Sequence, residues 1–318
     1  MRLTINFLLL LFCLQFVWVP TMNAQDQKTN EIIWNDQISL PIYPNGQKNL
    51  GVAGAFSGIH NDVLIVAGGA NFPDGKPWEG GLKVYHDAIY ILEKNMNGYD
   101  WVETQSNHLP FTMAYGASVS VPDGIVCLGG ENASGTSKVV FKMQWDASKK
   151  EVVFKSLPDL PIPLANAGAT TIGNVIYIVG GENQGKVSKA FFALDLSASN
   201  PIWERLPDLP VALTHHVAVA QNNGKQQQVY VLGGRASNAS GISDLHSSNF
   251  CYDPAKRVWE KRSDISNGKA ITNWSAGTGI ANGASYILLI GGDNGQVFNR
   301  IESYNAQIAK ADKPALKE

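Results

Sequence analysis

The sequence predicts an all-β fold, a propeller built from four-stranded blades, and three observations support this prediction. Five apolar strands each end in a pair of adjacent glycines, at positions 68–69, 129–130, 180–181, 233–234 and 291–292. The first glycines of these doublets lie 61, 51, 53 and 58 residues apart, and a glycine signature at a period of about 50 residues is typical of kelch-type β-propellers. No stretch between Leu50 and Gly295 sustains a helical period.

The third copy of the repeat shows the four strands of one unit. NAGATTIG starts the unit at Asn166, NVIYIVGG carries the glycine doublet, and KAFFALDL follows from Lys189. The last strand, PIWERLPDLP, has an aromatic residue ahead of a Leu-Pro corner. Alternating apolar segments broken by Gly, Asn and Pro are typical of antiparallel strands with short connections. Because a lone small sheet cannot bury both faces, such units are expected to pack as blades around an axis.

The strand count predicts a ring that is incomplete within this sequence. Units that start near residues 51, 113, 165 and 213 have all four strands, whereas the fifth, from Ile271, has two. Trp34 lies in an outer strand like those of Trp101, Trp203 and Trp259, and we expect these four tryptophans to pack between blades. Over residues 31–297 we therefore expect about four complete blades, half of a fifth and only the outer strand of a sixth.

Both ends of the chain depart from the strand pattern. Arg2, an apolar run over residues 7–19 and the small residue Ala24 predict a secretory signal peptide over residues 1–24, and hence a periplasmic protein without a stable membrane span. Residues 25–30 are polar and predicted to be flexible. Ile301, Tyr304 and Ile308 have helical spacing, which predicts a short amphipathic helix and a polar tail over residues 298–318.

Composition argues against several kinds of partner. Charged residues make up 16% of the chain and the net charge is −2, so no basic face is expected to hold nucleic acid. His215 and His216 are adjacent, and neighbouring side chains of a regular strand point to opposite faces, so the pair is not expected to hold a metal ion. No cofactor is expected either. Cys127 and Cys251 lie in apolar strands of different units, which predicts two buried free thiols.

Long motifs in the first two units resemble one known family. GVAGAFSGIHNDVLIVAGGANFPDG from Gly51, YHDAIYIL from Tyr85 and MAYGASVSVPDGIVCLGGENASG from Met113 are similar to segments of the N-acetylneuraminate epimerases, also called sialic acid mutarotases. The resemblance implies a six-bladed kelch-type propeller. In the better-known form of the family these motifs lie near the C-terminal end of the sequence, whereas here they lie near the N-terminal end. The sequence therefore resembles the cyclically permuted branch.

The resemblance also implies an activity, the interconversion of the α and β anomers of free sialic acid. This reaction needs a general acid and base near the anomeric carbon and a cation for the sugar carboxylate. The family's proposed catalytic Glu and Arg belong to a G-E-x-K-P-G-x-R motif that this sequence does not contain, so the catalytic residues are left unassigned. The permuted order would place that motif beyond Glu318, and we expect either a C-terminally incomplete chain or a member without the catalytic blade.

Candidate sugar-binding residues follow the glycine doublets, where kelch blades open on one end of the channel. Asn, Glu and Arg supply directional hydrogen bonds to a polyhydroxylated ligand, although each of them has capping of strand ends as an equal alternative. The candidates after the doublets are Asn71, Glu131, Asn132, Glu182, Asn183, Arg235, Asp293 and Asn294. Arg235 is the only cation directly after a doublet and suits a carboxylate.

Two further groups of residues are candidates for the channel mouth. Tyr115, Asn166, His216 and Trp274 lie near the starts of the innermost strands. The first unit also has a long insertion, NFPDGKPWEGGLKVYHD, and long loops over a channel are often functional. Within it, Trp78, Lys83 and His86 are candidates for a lid, with plain packing or solvation as the alternative.

Two functions remain open on the sequence alone. The first is a sialic acid mutarotase that acts on a small-molecule sugar and needs no cofactor, with its activity in this chain open because the family motif is absent. The second is a secreted kelch-repeat module that binds a glycan or a protein without catalysis. The sequence leaves the oligomeric state open.

Overall fold

The computed structural model describes residues 38–42, 46–96, 98–102 and 107–310. The chain divides into two units, Met1–Ser39 and Leu40–Glu318, and the fold belongs to the second. The predicted signal peptide over residues 1–24, the flexible segment over residues 25–30 and the strand around Trp34 lie outside the described residues and stay predictions.

Four antiparallel sheets of four strands form four blades in chain order. In each blade a short two-stranded hairpin also lies between the second and third long strands. Blade 1 has β1 Phe56–His60, β2 Val63–Ala67, β3 Ala70–Asn71, the 3-10 helix Pro77–Glu79, β4 Val84–Tyr85, β5 Ile89–Asn95 and β6 Gly98–Trp101. Blade 2 has β7 Ala117–Val121, β8 Gly124–Leu128, β9 Glu131–Asn132, β10 Gly135–Thr136, β11 Val140–Asp146 and β12 Glu151–Ser156.

The next two blades repeat the same plan. Blade 3 has β13 Gly168–Ile172, β14 Val175–Val179, β15 Glu182–Asn183, β16 Lys186–Val187, β17 Phe191–Asp195 and β18 Glu204–Arg205. Blade 4 has β19 Val217–Asn222, β20 Gln227–Leu232, β21 Arg235–Ala236, β22 Asp244–Leu245, β23 Asn249–Asp253 and β24 Val258–Lys261. In blade 3, Val179 of β14 lies opposite Gly168 on one side and Phe191 on the other.

The fifth blade has two strands within the described residues, β25 Ser275–Asn282 and β26 Tyr286–Asp293. The helix α1, Phe298–Lys310, follows them and carries Ile301, Tyr304 and Ile308. The prediction of an all-β, kelch-type propeller with four complete blades and half of a fifth is therefore confirmed. The first strands of successive blades lie side by side, which places them around the central channel.

The core consists of one apolar cluster between each pair of adjacent blades. Phe56 and Ile65 of blade 1 pack with Ile125 and Met143 of blade 2, and all four side chains are fully buried. Corresponding clusters join blade 2 to blade 3, blade 3 to blade 4, and blade 4 to blade 5. Blades 2, 3 and 4 therefore bury both faces against their neighbours rather than against a separate layer.

The glycine doublets couple each blade to the next. Gly180 has φ 64°, and a Cβ there would lie 2.5 Å from the carbonyl oxygen of Leu213 in blade 4. The amide of Gly181 donates a 2.8 Å hydrogen bond to that same oxygen. Three other doublets repeat this bond: Gly69 to Met113, Gly130 to Leu164 and Gly234 to Trp274. At Gly291 of the fifth doublet nothing in the described structure lies within 4 Å of such a Cβ.

Outer-strand tryptophans form a second connection between blades. Trp203 Nε1 donates to the carbonyl of Pro158 at 2.8 Å, and Trp259 Nε1 donates to the carbonyl of Pro207 at 2.9 Å. Both acceptors belong to the Leu-Pro corner of the preceding blade, so the predicted packing role is confirmed for these two residues. Trp101 packs edge-on against Tyr90, with ring centroids 6.1 Å apart.

The two cysteines of the described structure, Cys127 and Cys251, are free thiols and 0% and 1% exposed. This confirms the prediction made from their apolar strand contexts.

Candidate functional site

A cavity of about 630 Å³ lies at the centre of the blades, at the channel end to which the doublets lead. Its wall includes one residue of each blade in the left-handed backbone region, at the start of the innermost strand or two residues ahead of it: Gly54, Tyr115, Asn166, His215 and Ala276. We call these the five left-handed positions. Non-glycine residues rarely adopt this conformation, and where they do the surrounding structure holds them there.

The five left-handed positions are joined by backbone hydrogen bonds from blade to blade. The backbone amide of Tyr115 donates to the carbonyl oxygen of Gly54 at 2.7 Å. In the same way, the backbone amide of Asn166 donates to the carbonyl of Tyr115 at 2.8 Å, and that of His215 donates to the carbonyl of Asn166 at 3.0 Å. The amide of Ala276 then donates to the carbonyl of His215 at 2.8 Å. The backbone alone therefore sets the spacing of the side chains that face the channel.

Each left-handed position lies next to the residue that follows a doublet. In blades 1 to 4, an isolated β-bridge joins that residue to the one just before the left-handed position; in blade 3, for example, it pairs Ala165 with Glu182. This local arrangement brings Glu131, Glu182 and Arg235 to the channel mouth beside Tyr115, Asn166 and His215.

On the blade 2 side, Glu131 is the centre of a polar cluster. Its Oε1 accepts a 2.7 Å hydrogen bond from Tyr85 Oη and a 3.3 Å bond from Lys83 Nζ. The Lys83 ammonium also lies 4.9 Å from the ring centroid of Tyr115. Burial, followed by the hydrogen bond to Glu131, raises the pKa of Tyr85. Burial disfavours the Lys83 ammonium, but Tyr115 and Glu131 outweigh it and raise the pKa of Lys83.

On the blade 4 side, Arg235 lies between a histidine and an aromatic ring. Its guanidinium is 3.1 Å from His215 Nε2 and 4.2 Å from the ring centroid of Phe298 in α1. Burial, followed by the charge of Arg235, lowers the pKa of His215 to about 3, so the imidazole is neutral. Burial lowers the pKa of Arg235, although the carboxylates of Glu302, Glu182 and Asp293 act to raise it. Blade 3, between these two clusters, contributes a 2.8 Å hydrogen bond from Asn166 Nδ2 to Glu182 Oε1.

Other predicted site residues hold the fold together at this end of the channel. Asn71 donates to the carbonyl of Gly51 at 2.8 Å and accepts from His86 Nε2 at 2.8 Å. Asn132 donates to the carbonyl of Thr112 at 3.2 Å.

Asp293 ends β26 and Asn294 begins the turn before α1, and their side-chain oxygens accept from the backbone amides of Gly295 and Gln296. Trp274 Nε1 donates to the carbonyl of Gly291 at 3.0 Å, so this indole links the start of blade 5 to its doublet. Trp78 is 78% exposed on the 3-10 helix of the insertion.

His216 and His215 have different environments. His216 borders the cavity but is only 6% exposed, and its ring fills the space that Gly180 leaves without a side chain. Burial lowers the pKa of His216 to about 4. His215, the neighbour that the sequence reasoning did not select, carries the polar contact to Arg235. A sequence signal for His215 exists in the repeat. Tyr115, Asn166 and His215 each lie two residues after an apolar residue that starts the unit, which is Met113, Leu164 and Leu213 respectively.

Tyr85 is the second residue that sequence reasoning missed. It lies in the insertion that was expected to form a lid, and the pairing of Ala70 with Tyr85 across β3 and β4 brings its hydroxyl to Glu131 in the next blade. Within the described residues, no group of three or more His, Cys, Asp or Glu side chains is arranged to hold a metal ion. None of the described helices is long and apolar enough to cross a membrane.

Comparison with known proteins connects this site to one family. The family model for N-acetylneuraminate epimerase matches residues 19–152 and 157–318. The N-acetylneuraminate epimerase of Vibrio cholerae serotype O1 is 37% identical over 127 residues, which is 38% of this chain and 32% of the relative. That of Yersinia pestis (strain Pestoides F) is 33% identical over 148 residues, 43% of this chain and 34% of the relative. The matched segments thus span about a third of these curated relatives.

A solved structure, titled "Structure of YjhT", superimposes with a TM-score of 0.62 over 80% of each chain, at 17% identity, and this likeness concerns the fold alone. The family model covers most of the sequence and both halves of the blade arrangement. The chain therefore belongs to the N-acetylneuraminate epimerase family.

Proposed function

We propose that the channel mouth binds N-acetylneuraminate and interconverts its α and β anomers. The observation that carries the proposal is the polar arrangement beside a cavity of about 630 Å³, whose wall includes Tyr115, Asn166 and His215. These three residues contact Lys83, Glu182 and Arg235 respectively. Glu131 with Lys83 and Tyr85 supplies groups for proton transfer, and Arg235 supplies a cation for the sugar carboxylate. Family membership supports the same substrate class.

Mutarotation requires one proton to leave the anomeric hydroxyl and one to reach the ring oxygen as the bond between that oxygen and the anomeric carbon breaks. Glu131 takes the first proton, because its carboxylate is oriented by the hydrogen bonds from Tyr85 and Lys83 and lies beside the cavity, to which Lys83 links it through the ring of Tyr115. Lys83 delivers the second from an ammonium that stays charged at neutral pH. Closure on the other face of the carbonyl returns both protons, so the residues end as they began.

Arg235 supplies binding rather than proton transfer. A guanidinium is always protonated, and its planar set of N–H donors matches the two oxygens of a carboxylate. Its place in blade 4, two blades from Glu131, orients the sugar across the mouth.

The decisive experiment follows α-N-acetylneuraminate freshly released by a sialidase, by proton NMR, with and without the protein. We expect faster equilibration with the wild type and a loss of roughly 100-fold or more with Glu131→Gln. Glu151→Gln, an exposed carboxylate on β12, is the matched control and should keep the wild-type rate. A wild-type rate equal to that in buffer alone refutes catalysis by this chain.

A second function, sugar binding without chemistry, is supported by Arg235, because its guanidinium can hold a carboxylate without taking part in proton transfer. Calorimetric binding of N-acetylneuraminate with no effect on the NMR rate would establish this alternative. Loss of that binding in Arg235→Ala would locate the site.

We also propose that the protein is exported to the periplasm. The apolar run over residues 7–19 with Arg2 before it supports this proposal. Cell fractionation of the full chain, compared with a variant that has Leu10→Arg in the apolar run, tests it. A wild type found only in the cytoplasmic fraction refutes export.

A further inference from the structure

We propose that His215 is a positioning residue, which holds the guanidinium of Arg235 in the channel mouth and thereby makes the site selective for a sugar carboxylate. This inference rests on the proposed function, because it concerns how that same site recognises its substrate.

The direction of every hydrogen bond around His215 follows from its neighbours. Arg235 has only donors, so the nitrogen that lies 3.1 Å away, Nε2 of His215, accepts. The ring proton is therefore on Nδ1, which donates to Thr214 Oγ1 at 3.1 Å. The hydroxyl of Thr214 in turn donates to the carbonyl of Asn166 at 3.3 Å. The side chain that holds Arg235 is thus fixed to the backbone of the adjacent blade.

The repeat contains the same arrangement with the opposite polarity. In blade 3 the left-handed position is Asn166. Its side-chain amide donates a 2.8 Å hydrogen bond to the carboxylate of Glu182, the residue after the doublet. In blade 4 the residue after the doublet is the cation Arg235, and the left-handed position supplies an acceptor instead. A neutral histidine meets that requirement, since a protonated imidazole has no acceptor.

Removing the His215 side chain leaves Arg235 with competing partners. The carboxylates of Glu182, Asp293 and Glu302 all act on its charge, and Glu302 is held by two hydrogen bonds to Ser243. Without the contact to Nε2, we expect the guanidinium to turn toward these carboxylates. The guanidinium of Arg235 would then no longer bind the carboxylate of the substrate, although its charge remains at the channel mouth.

The test compares calorimetric binding of N-acetylneuraminate and of its uncharged methyl ester. His215→Gly removes the side chain without backbone strain, because φ is 54°, and His215→Asn keeps an acceptor and tolerates the same φ. We expect His215→Gly to weaken binding of the acid about tenfold, with His215→Asn within about threefold of the wild type and the methyl ester unaffected by both. Lys225→Gln, an exposed residue in the turn before β20, is the control.

Equal weakening of acid and ester in His215→Gly would show a merely structural role and overturn the proposal, as would unchanged binding of the acid. If the wild type binds neither sugar, the proposed function fails, and the positioning role is then decided by NMR of the Arg235 guanidinium. Slow rotation of that group in the wild type, made fast by His215→Gly and slow again in His215→Asn, supports positioning. Equal rotation in all three proteins refutes it.

Discussion

Replacing Gly180 by alanine tests whether the glycine doublets exist to couple adjacent blades. At φ 64° alanine is strained, and its Cβ would lie 2.5 Å from the Leu213 carbonyl oxygen and 2.5 Å from the His216 ring. Blade 4 must therefore move away, which breaks the 2.8 Å hydrogen bond from Gly181 to that oxygen. Gly291 is the matched control, because it has φ 69° but no described atom within 4 Å of an added Cβ.

The two substitutions share one cost and differ in another. The left-handed backbone costs an alanine roughly 1–2 kcal/mol at either position. At Gly180, the lost hydrogen bond and the buried groups left without a partner add roughly 2–3 kcal/mol. We expect Gly180→Ala to lower the free energy of unfolding by about 3–5 kcal/mol, and Gly291→Ala by about 1–2 kcal/mol.

Urea denaturation of both variants, followed by tryptophan fluorescence, measures this difference. The slope of the free energy against urea should stay near that of the wild type, so that the midpoints report stability. Equal midpoints for Gly180→Ala and Gly291→Ala would refute the reasoning, because backbone strain alone would then explain the doublet.

Three further predictions concern stability elsewhere. Trp203→Phe keeps the apolar packing but loses the bond to Pro158, and should lower the free energy of unfolding by about 1 kcal/mol in the same denaturation assay. Burial lowers the pKa of His216 to about 4, so the stability that its neutral form contributes is fully present above about pH 6.5 and falls by up to about 1.4 kcal/mol per pH unit as the pH falls toward 4. His215, whose pKa burial lowers to about 3, adds a loss of the same sign, so His216→Leu should make that part of a pH-dependent melting profile shallower without removing the slope. The hydrogen bond from Lys142 lowers the pKa of Asp123, so its contribution is present above about pH 4 and lost below it; Asp123→Asn should destabilise the protein at pH 7 and narrow the gap to the wild type at pH 3.

The blades were predictable from sequence because their signals are local. A glycine doublet and an aromatic strand such as that of Trp203 occupy a few residues each, and their period gives the number of blades without knowledge of distant contacts. The position of Arg235 in the fold was predictable for the same reason, because a residue directly after a doublet lies at the channel end of its blade.

The partners of those residues were not predictable, because they depend on backbone direction and on contacts between blades. His215 faces Arg235 only because its φ is 54°, which reverses the alternation expected for a regular strand. Tyr85 reaches Glu131 across a blade boundary, from an insertion that is longer than the corresponding hairpins of the other units. Asp293 follows a doublet as Arg235 does, but the turn into α1 uses its carboxylate.

The backbone hydrogen bonds between the five left-handed positions have a consequence for how such a channel changes over time. Because main-chain hydrogen bonds join neighbouring blades there, the side chains at the four non-glycine positions can be exchanged without breaking that connection, whereas at Gly54 an added Cβ would lie 2.4 Å from the Tyr115 ring. The five positions already carry glycine, tyrosine, asparagine, histidine and alanine in one molecule. Ligand preference can therefore evolve by single substitutions at the channel mouth, while the scaffold that presents them stays the same.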